Sequence, residues 1–112
     1  MAALRERILG FEDRKPIVVE VPEWGGIRIN IAPLSSADRI RYREEANAEG
    51  ANWQAIAVAW CAVEDDGKPI FTPADVAALA QKNGIAIERL YLAAVKLNRL
   101  SPEAVEEERK NS

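Results

Sequence analysis

Two five-residue segments separated by a glycine-containing turn place the strongest constraint on how this chain can fold. The odd-numbered positions of Ile17–Val21 and of Ile27–Ile31 are all β-branched apolar residues, and this two-residue period is typical of strands with one buried face. Between them, Pro22 cannot donate a ladder hydrogen bond, and Gly25 and Gly26 tolerate the positive φ angles of short loops. The sequence therefore predicts an antiparallel β-hairpin.

A single register satisfies both faces of this hairpin. On one face every predicted pair is apolar: Val21 with Ile27, Val19 with Ile29, and Ile17 with Ile31. On the other face Glu20 lies opposite Arg28, an opposite-charge pair. A shift of one residue would move each apolar set to the wrong face, so the register is strongly specified.

The rest of the chain has helical patterns with recognisable start and stop signals. The predicted helices are a short one over Ala2–Leu9 that ends near Gly10, Ala37–Ala48 after a Ser35 or Ser36 cap, Asn52–Glu64, one from Pro73 to Asn83-Gly84, one from about Ile85, and a short one from Ser101-Pro102. The second has a thin apolar stripe of Ala37, Ile40 and Ala46, with Tyr42 to one side. The fold class is thus α+β: an N-terminal β-hairpin and a bundle of about four to five helices, mostly α, in a single domain over residues 1–112. Residues 1–16 and 108–112 are expected to be loosely ordered.

Composition argues against an enzyme. The chain contains no histidine, which removes the commonest general base and the commonest metal ligand. Its one cysteine, Cys61, lies in an apolar segment and is expected to be a buried, inert thiol. No phosphate-binding loop or paired-carboxylate pattern is present, so we expect no catalytic residue, no cofactor and no metal. Function must then come from surface presented to protein partners.

The charge pattern disfavours two other classes of partner. The formal net charge is −3, and no apolar run approaches the ~20 residues needed to cross a bilayer. Arg39, Arg41 and Arg43 cannot share one helical face, so a solvated surface is favoured over a nucleic-acid site. A small nucleic-acid-binding regulator that uses Arg28 and these arginines remains an alternative.

Three tryptophans are candidate contact residues. Trp24 lies on the hairpin turn, where its indole either folds back over the sheet or stands exposed as an anchor for a partner. Trp53 and Trp60 are seven residues apart on the predicted central helix and form either a core stripe or a surface that another subunit covers.

The order of features resembles the tail assembly chaperones of long-tailed, non-contractile phages. The more specific segments of this resemblance are Val-Pro-Glu-Trp-Gly-Gly at residues 21–26 and Asp-Gly-Lys-Pro-Ile-Phe at residues 66–71. The likeness also includes Leu34-Ser35-Ser36-Ala37-Asp38-Arg39 and Leu97-Asn98-Arg99-Leu100 before an acidic end. It extends over nearly the whole chain.

The resemblance implies a chaperone that binds and solubilises the tape measure protein and helps to recruit the tail tube protein. It implies a homo-oligomer in the host cytoplasm that is absent from the mature virion, and a longer frameshifted form of which this chain resembles the shorter product. A permanent structural component, such as a tail or head completion protein, is the second alternative. The candidate partner-binding residues are then Trp24, Trp53, Trp60, Glu106, Glu107 and Glu108.

Overall fold

The computed structural model describes residues 3–100 of the chain. Its helices are α1 (Leu4–Leu9), α2 (Ser36–Ala46), α3 (Trp53–Cys61), α4 (Val76–Leu79) and α5 (Gly84–Asn98), and its strands are β1 (Ile17–Val21), β2 (Ile27–Ile31) and β3 (Ala62–Val63). Single 3₁₀ turns span Pro22–Trp24 and Pro73–Asp75. The predicted α+β class is confirmed, with a hairpin followed by four helices among the described residues. The predicted helix from Ser101, and Glu106 to Glu108, lie outside these residues.

The hairpin has the predicted register at every pair. Val21 faces Ile27, Ile17 faces Ile31, and Glu20 faces Arg28. The turn is closed by the backbone N–H of Gly26, which donates to the carbonyl of Val21 at 3.0 Å. Gly25 and Gly26 have φ angles of 70° and 83°, which confirms that the turn uses the conformational freedom of glycine.

A third strand was not predicted. The sequence predicts a helix over Asn52–Glu64, but α3 ends at Cys61 and the next two residues pair antiparallel with the end of β2. The carbonyl of Cys61 accepts the N–H of Ala32 at 2.8 Å, and that of Ala62 accepts the N–H of Ile70 at 3.1 Å. The free edge of β2 therefore supplies backbone partners that outweigh the helical preference of this segment.

The core lies between the sheet and helices α3 and α5. Its largest fully buried side chains are Ile31, Leu90, Val21, Val58 and Cys61, which confirms that α3 is the central core helix. A smaller cluster of Tyr42, Ile56 and Ala57 joins α2 to α3.

Helix α2 is rotated relative to its predicted stripe. Ile40 is 58% exposed and Ala37 is exposed, whereas Tyr42 is only 5% exposed. Two contacts fix this orientation: the Ser35 hydroxyl accepts the N–H of Asp38 at 3.1 Å, as the predicted cap, and the Arg39 guanidinium donates to the carbonyls of Asn98 and Arg99 at 2.8 and 3.1 Å. These interactions turn the aromatic ring of Tyr42 toward α3.

The start of α5 differs from the prediction. Gly84 was expected to end the preceding helix, but α4 ends at Leu79 and Gly84 is the first residue of α5. The side chain of Asn83 accepts the N–H groups of Ile85 and Ala86 at 2.9 and 3.0 Å. Asparagine is among the preferred N-cap residues, so Asn83 acts as the start signal of α5.

Helix α1 lies within the segment predicted to be helical, and none of its residues is buried. Residues 10–16, which connect it to β1, are also exposed. The connection reaches the rest of the molecule at Arg14, whose Nε donates to the carbonyl of Pro33 at 3.2 Å. Residues 4–13 are called the N-terminal arm below.

A candidate protein-binding groove

A groove with a volume of about 290 Å³ lies between α2, α3, β3 and the segment that leads into α4. Its floor and walls are mainly apolar: Ala59, Trp60, Val63, Pro69, Phe71, Pro73 and Val76. Side chains of this kind are enriched where proteins bind partners. Among the described residues this groove is therefore the best candidate for a binding surface.

A helix-capping hydrogen bond, a proline and a backbone bridge hold the walls of the groove in place. The N–H of Thr72 donates to the Asp75 carboxylate at 2.8 Å, and Pro73 occupies the first position of the 3₁₀ turn before α4. These two features confirm the predicted helix start and hold Phe71 beside Val76. Val63 also forms an antiparallel bridge with Pro69, which closes the turn between them.

The rim of the groove is mostly acidic. Asp38 and Glu45 line it from α2, and Arg14 lines it from the chain before β1. The indole Nε1 of Trp60 donates to Oε2 of Glu45 at 2.9 Å, which orients the ring at the junction of the apolar floor and the charged rim. A helix that presents aliphatic or aromatic side chains between basic residues would complement this arrangement.

Comparison with known protein families identifies the family of this chain. The family model for phage tail assembly chaperones matches residues 3–111. The chain belongs to the phage tail assembly chaperone family. That family consists of assembly chaperones rather than enzymes, and its members act with protein partners in tail assembly. No curated protein matches significantly.

A solved structure supports the fold of this family member. The bacteriophage HK97 tail assembly chaperone superposes with a TM-score of 0.63 at 18% sequence identity, over 87% of this chain and 96% of that chain. At this identity the likeness concerns the fold alone.

The three tryptophans of this tail assembly chaperone family member lie in different environments. Trp24 is half-buried and packs against the main core. Trp53 is 48% exposed and presents an edge to Tyr91, with ring centroids 5.0 Å apart. Trp60 alone of the three lines the groove, so Trp53 and Trp60 do not form the continuous stripe that their spacing indicated.

Of the residues that line the groove, only Trp60 was among the predicted contact residues; Arg14, Asp38, Glu45 and Phe71 are examples of those that were not. They come from separate segments that meet only after folding, and no local motif marks them as a set. The one usable signal was Phe71, which was predicted to pack against Val76 at a helix start.

The buried ionisable groups of the domain have the pKa shifts of core residues. Burial raises the pKa of the Cys61 thiol to about 12, so the thiol is protonated at neutral pH and inert, as predicted. Burial, followed by the proximity of Tyr91 and Cys61, raises the pKa of Tyr42 to about 12 as well. Within residues 3–100 no three His, Cys, Asp or Glu side chains are grouped to hold a metal ion, and no helix is long and apolar enough to cross a membrane.

Arg39 bears on the alternative of a nucleic-acid-binding regulator. Its guanidinium donates to two carbonyls at the end of α5. Arg39 therefore caps that helix and does not form a common surface with Arg41 and Arg43. The geometry therefore gives no support to a shared arginine patch on α2.

Proposed function

We propose that this protein keeps a tape measure protein soluble during tail assembly by binding amphipathic helical segments of that protein in the groove. The observation that carries the proposal is the combination of an apolar floor containing Trp60 and Phe71 with a rim containing Asp38 and Glu45. A long helical protein exposes apolar stripes before its partners assemble around it, and such surface needs temporary cover.

The groove suits a helix because its apolar lining comes from several elements, namely α3, β3 and the segment that leads into α4. An amphipathic helix binds such a groove through side chains at positions i, i+4 and i+7. Basic residues beside that stripe would meet the acidic rim, which favours correct orientation and faster encounter. Repeated binding along one tape measure protein would add avidity to modest single-site affinity.

Further parts of the proposal follow from family membership. The chaperone would act as a homo-oligomer in the host cytoplasm, bring the tail tube protein to the coated tape measure protein, and be released before the virion is complete. A longer frameshifted form of the chain would be a further partner.

Co-expression with the tape measure protein of the same phage tests this function. The wild-type chain should raise the soluble fraction of the tape measure protein and co-purify with it. Phe71→Ser and Glu45→Lys each change one groove residue and should lower both quantities several-fold.

Matched controls separate the groove from general surface effects. Leu92→Ser removes an apolar side chain that is 54% exposed on α5, and Glu88→Lys reverses an exposed charge on the same helix; neither residue lines the groove. Both controls should behave as the wild type. Equal loss in the controls and the groove variants, with all chains folded, would place the binding surface elsewhere. An insoluble tape measure protein with the wild-type chain would refute the chaperone function.

A further inference from the structure

The N-terminal arm has an uncovered apolar stripe. Leu4 and Ile8 are 68% and 61% exposed and lie four residues apart on one side of α1, and Phe11, which follows the helix, is 71% exposed. Side chains this large are seldom left together in water without a partner.

The charges beside the stripe match the rim of the groove. Arg5 and Arg7 lie on the two flanks of the stripe, and Glu6 lies on the opposite side of α1, as the helical period of 3.6 residues requires. The groove offers Asp38 and Glu45 around an apolar floor. The arm therefore has the chemistry that the groove accepts, an apolar stripe between two basic residues.

The arm is also tethered at the groove itself. Arg14, which follows the arm directly, lines the groove and is anchored to the carbonyl of Pro33. From this point residues 4–13 reach about 20 Å, at about 3.3 Å per extended residue and 1.5 Å per helical residue. That reach is enough to bring α1 back to the groove residues around Arg14.

We propose that α1 closes as a strap over the groove of its own chain and that a partner helix displaces it. The structure shows the open position, in which the arm lies outside the groove. Closure requires rotation only within residues 10–13, which are exposed and lie outside any helix or strand. Because the tether is short, the effective concentration of the arm at the groove is on the order of millimolar.

The strap regulates the groove by competition. A partner binds only the open fraction, so its apparent dissociation constant rises as the arm closes. If the arm is closed about nine-tenths of the time, the apparent affinity falls about tenfold. The competition depends on the proposed function of the groove, whereas the closure itself does not.

Disulfide trapping tests closure without any partner. In a full-length Cys61→Ala chain, the pair Ile8→Cys and Ala59→Cys puts one thiol on the stripe and one in the groove. At micromolar protein concentration, mild oxidation should give an intramolecular disulfide, detected by mass spectrometry and non-reducing electrophoresis. The control pair Ile8→Cys and Ile40→Cys uses an exposed α2 residue outside the groove and should react at least ten times more slowly.

Two results would overturn the strap. Equal rates for both pairs would show that the arm samples the surface without preference. Disulfide-linked dimers alone, formed faster at higher protein concentration, would show that the groove takes the arm of a second copy.

Titration with a tape measure segment tests the competition. The double variant Arg5→Glu and Arg7→Glu, made in the full chain, should bind the segment about tenfold more tightly than the wild type, because the arm no longer closes. Unchanged affinity would overturn the regulation. Absence of binding by both chains, together with successful trapping, would refute the proposed partner and leave the strap intact.

Discussion

The side-chain oxygen of Asn98 accepts the backbone N–H of Leu34 at 2.6 Å, which ties the last residue of α5 to the chain between β2 and α2. The amide nitrogen of Asn98 donates to the carbonyl of Ala94 at 3.1 Å and approaches the carbonyl of Ala32 at 3.4 Å. Asn98 is the one buried polar residue among those described. It therefore supplies partners to backbone groups that would otherwise be buried without them.

Replacing Asn98 should be costly for stability. In Asn98→Ala the N–H of Leu34 loses its acceptor while it remains inside the fold, and an unsatisfied buried donor costs about 1–3 kcal/mol. Urea unfolding followed by circular dichroism should show this decrease. Asn47→Ala, at the exposed end of α2, should change stability by no more than about 0.5 kcal/mol. Equal effects of the two variants would contradict the role of Asn98.

Alanine substitutions of two isoleucines of β2 should have very different effects on stability, although both residues lie on the same predicted face. Ile31 is fully buried, whereas Ile27 is 56% exposed opposite the fully buried Val21. Truncating a buried isoleucine to alanine costs about 2–5 kcal/mol, so Ile31→Ala should lower the free energy of unfolding by that amount. Ile27→Ala, its matched control, should cost under about 1 kcal/mol. A large effect of Ile27→Ala would mean that this side chain is covered in solution.

The sequence could predict the hairpin because its register follows from a local period of two and a glycine turn. It could not predict that Ile27 and Ile17 are uncovered, since strand twist and the positions of α3 and α5 decide which part of the apolar face is buried. The sequence also could not predict strand β3, because Ala62 and Val63 follow a helix directly and pair with a strand more than thirty residues away. The core helix was predictable because nearly all of its side chains are apolar.

The groove was less accessible to prediction than the core. Trp60 was identified as a candidate contact residue from its residue type and its seven-residue spacing from Trp53. Glu45 and Phe71, which line the groove with Trp60, are brought there by the packing of α2 on α3 and by the chain after β3, and such an arrangement leaves no pattern in the sequence. Charges on α2 were therefore interpreted as solvated, although two of its acidic residues form the rim.

Cys61 should resist thiol reagents in the folded chain. It is fully buried, and burial raises its pKa to about 12, so the reactive thiolate is scarce at pH 8. Ellman's reagent should label the native protein at least a hundred times more slowly than the urea-unfolded protein. Rapid labelling under native conditions, without loss of structure, would show that α3 opens locally on the time scale of the reaction.

The ion pair between Glu23 and Arg89 should make stability depend on acid pH. The Arg89 Nη2 donates to Oε2 of Glu23 at 2.9 Å, and this hydrogen bond lowers the pKa of Glu23 from its ordinary value of 4.5. A carboxyl group with a lowered pKa stabilises the fold above its unfolded pKa and loses that contribution as pH falls through the folded value.

Glu23→Gln should therefore be less stable than the wild type at pH 7, and this difference should fade as the pH falls through the lowered pKa of Glu23. The measurement is urea unfolding at several pH values, with Glu49→Gln, an exposed residue of the loop before α3, as the control. A difference that is constant with pH would show that the pair does not link the hairpin tip to α5 in solution.

From the sequence, Trp24 on the hairpin turn is the natural candidate for a contact residue. The structure instead indicates that Trp24 contributes more to stability than Trp53 does. Trp24 packs against the main core, so Trp24→Ala should lower stability by about 2 kcal/mol, less than the loss for a fully buried aromatic residue. Trp53 is 48% exposed and retains mainly its edge contact with Tyr91, so Trp53→Ala should cost about 1 kcal/mol or less. Under conditions where both variants are folded, neither should weaken co-purification with the tape measure protein if the groove around Trp60 is the binding surface. Selective loss of binding in Trp24→Ala, with stability unchanged, would instead make the hairpin tip a contact surface.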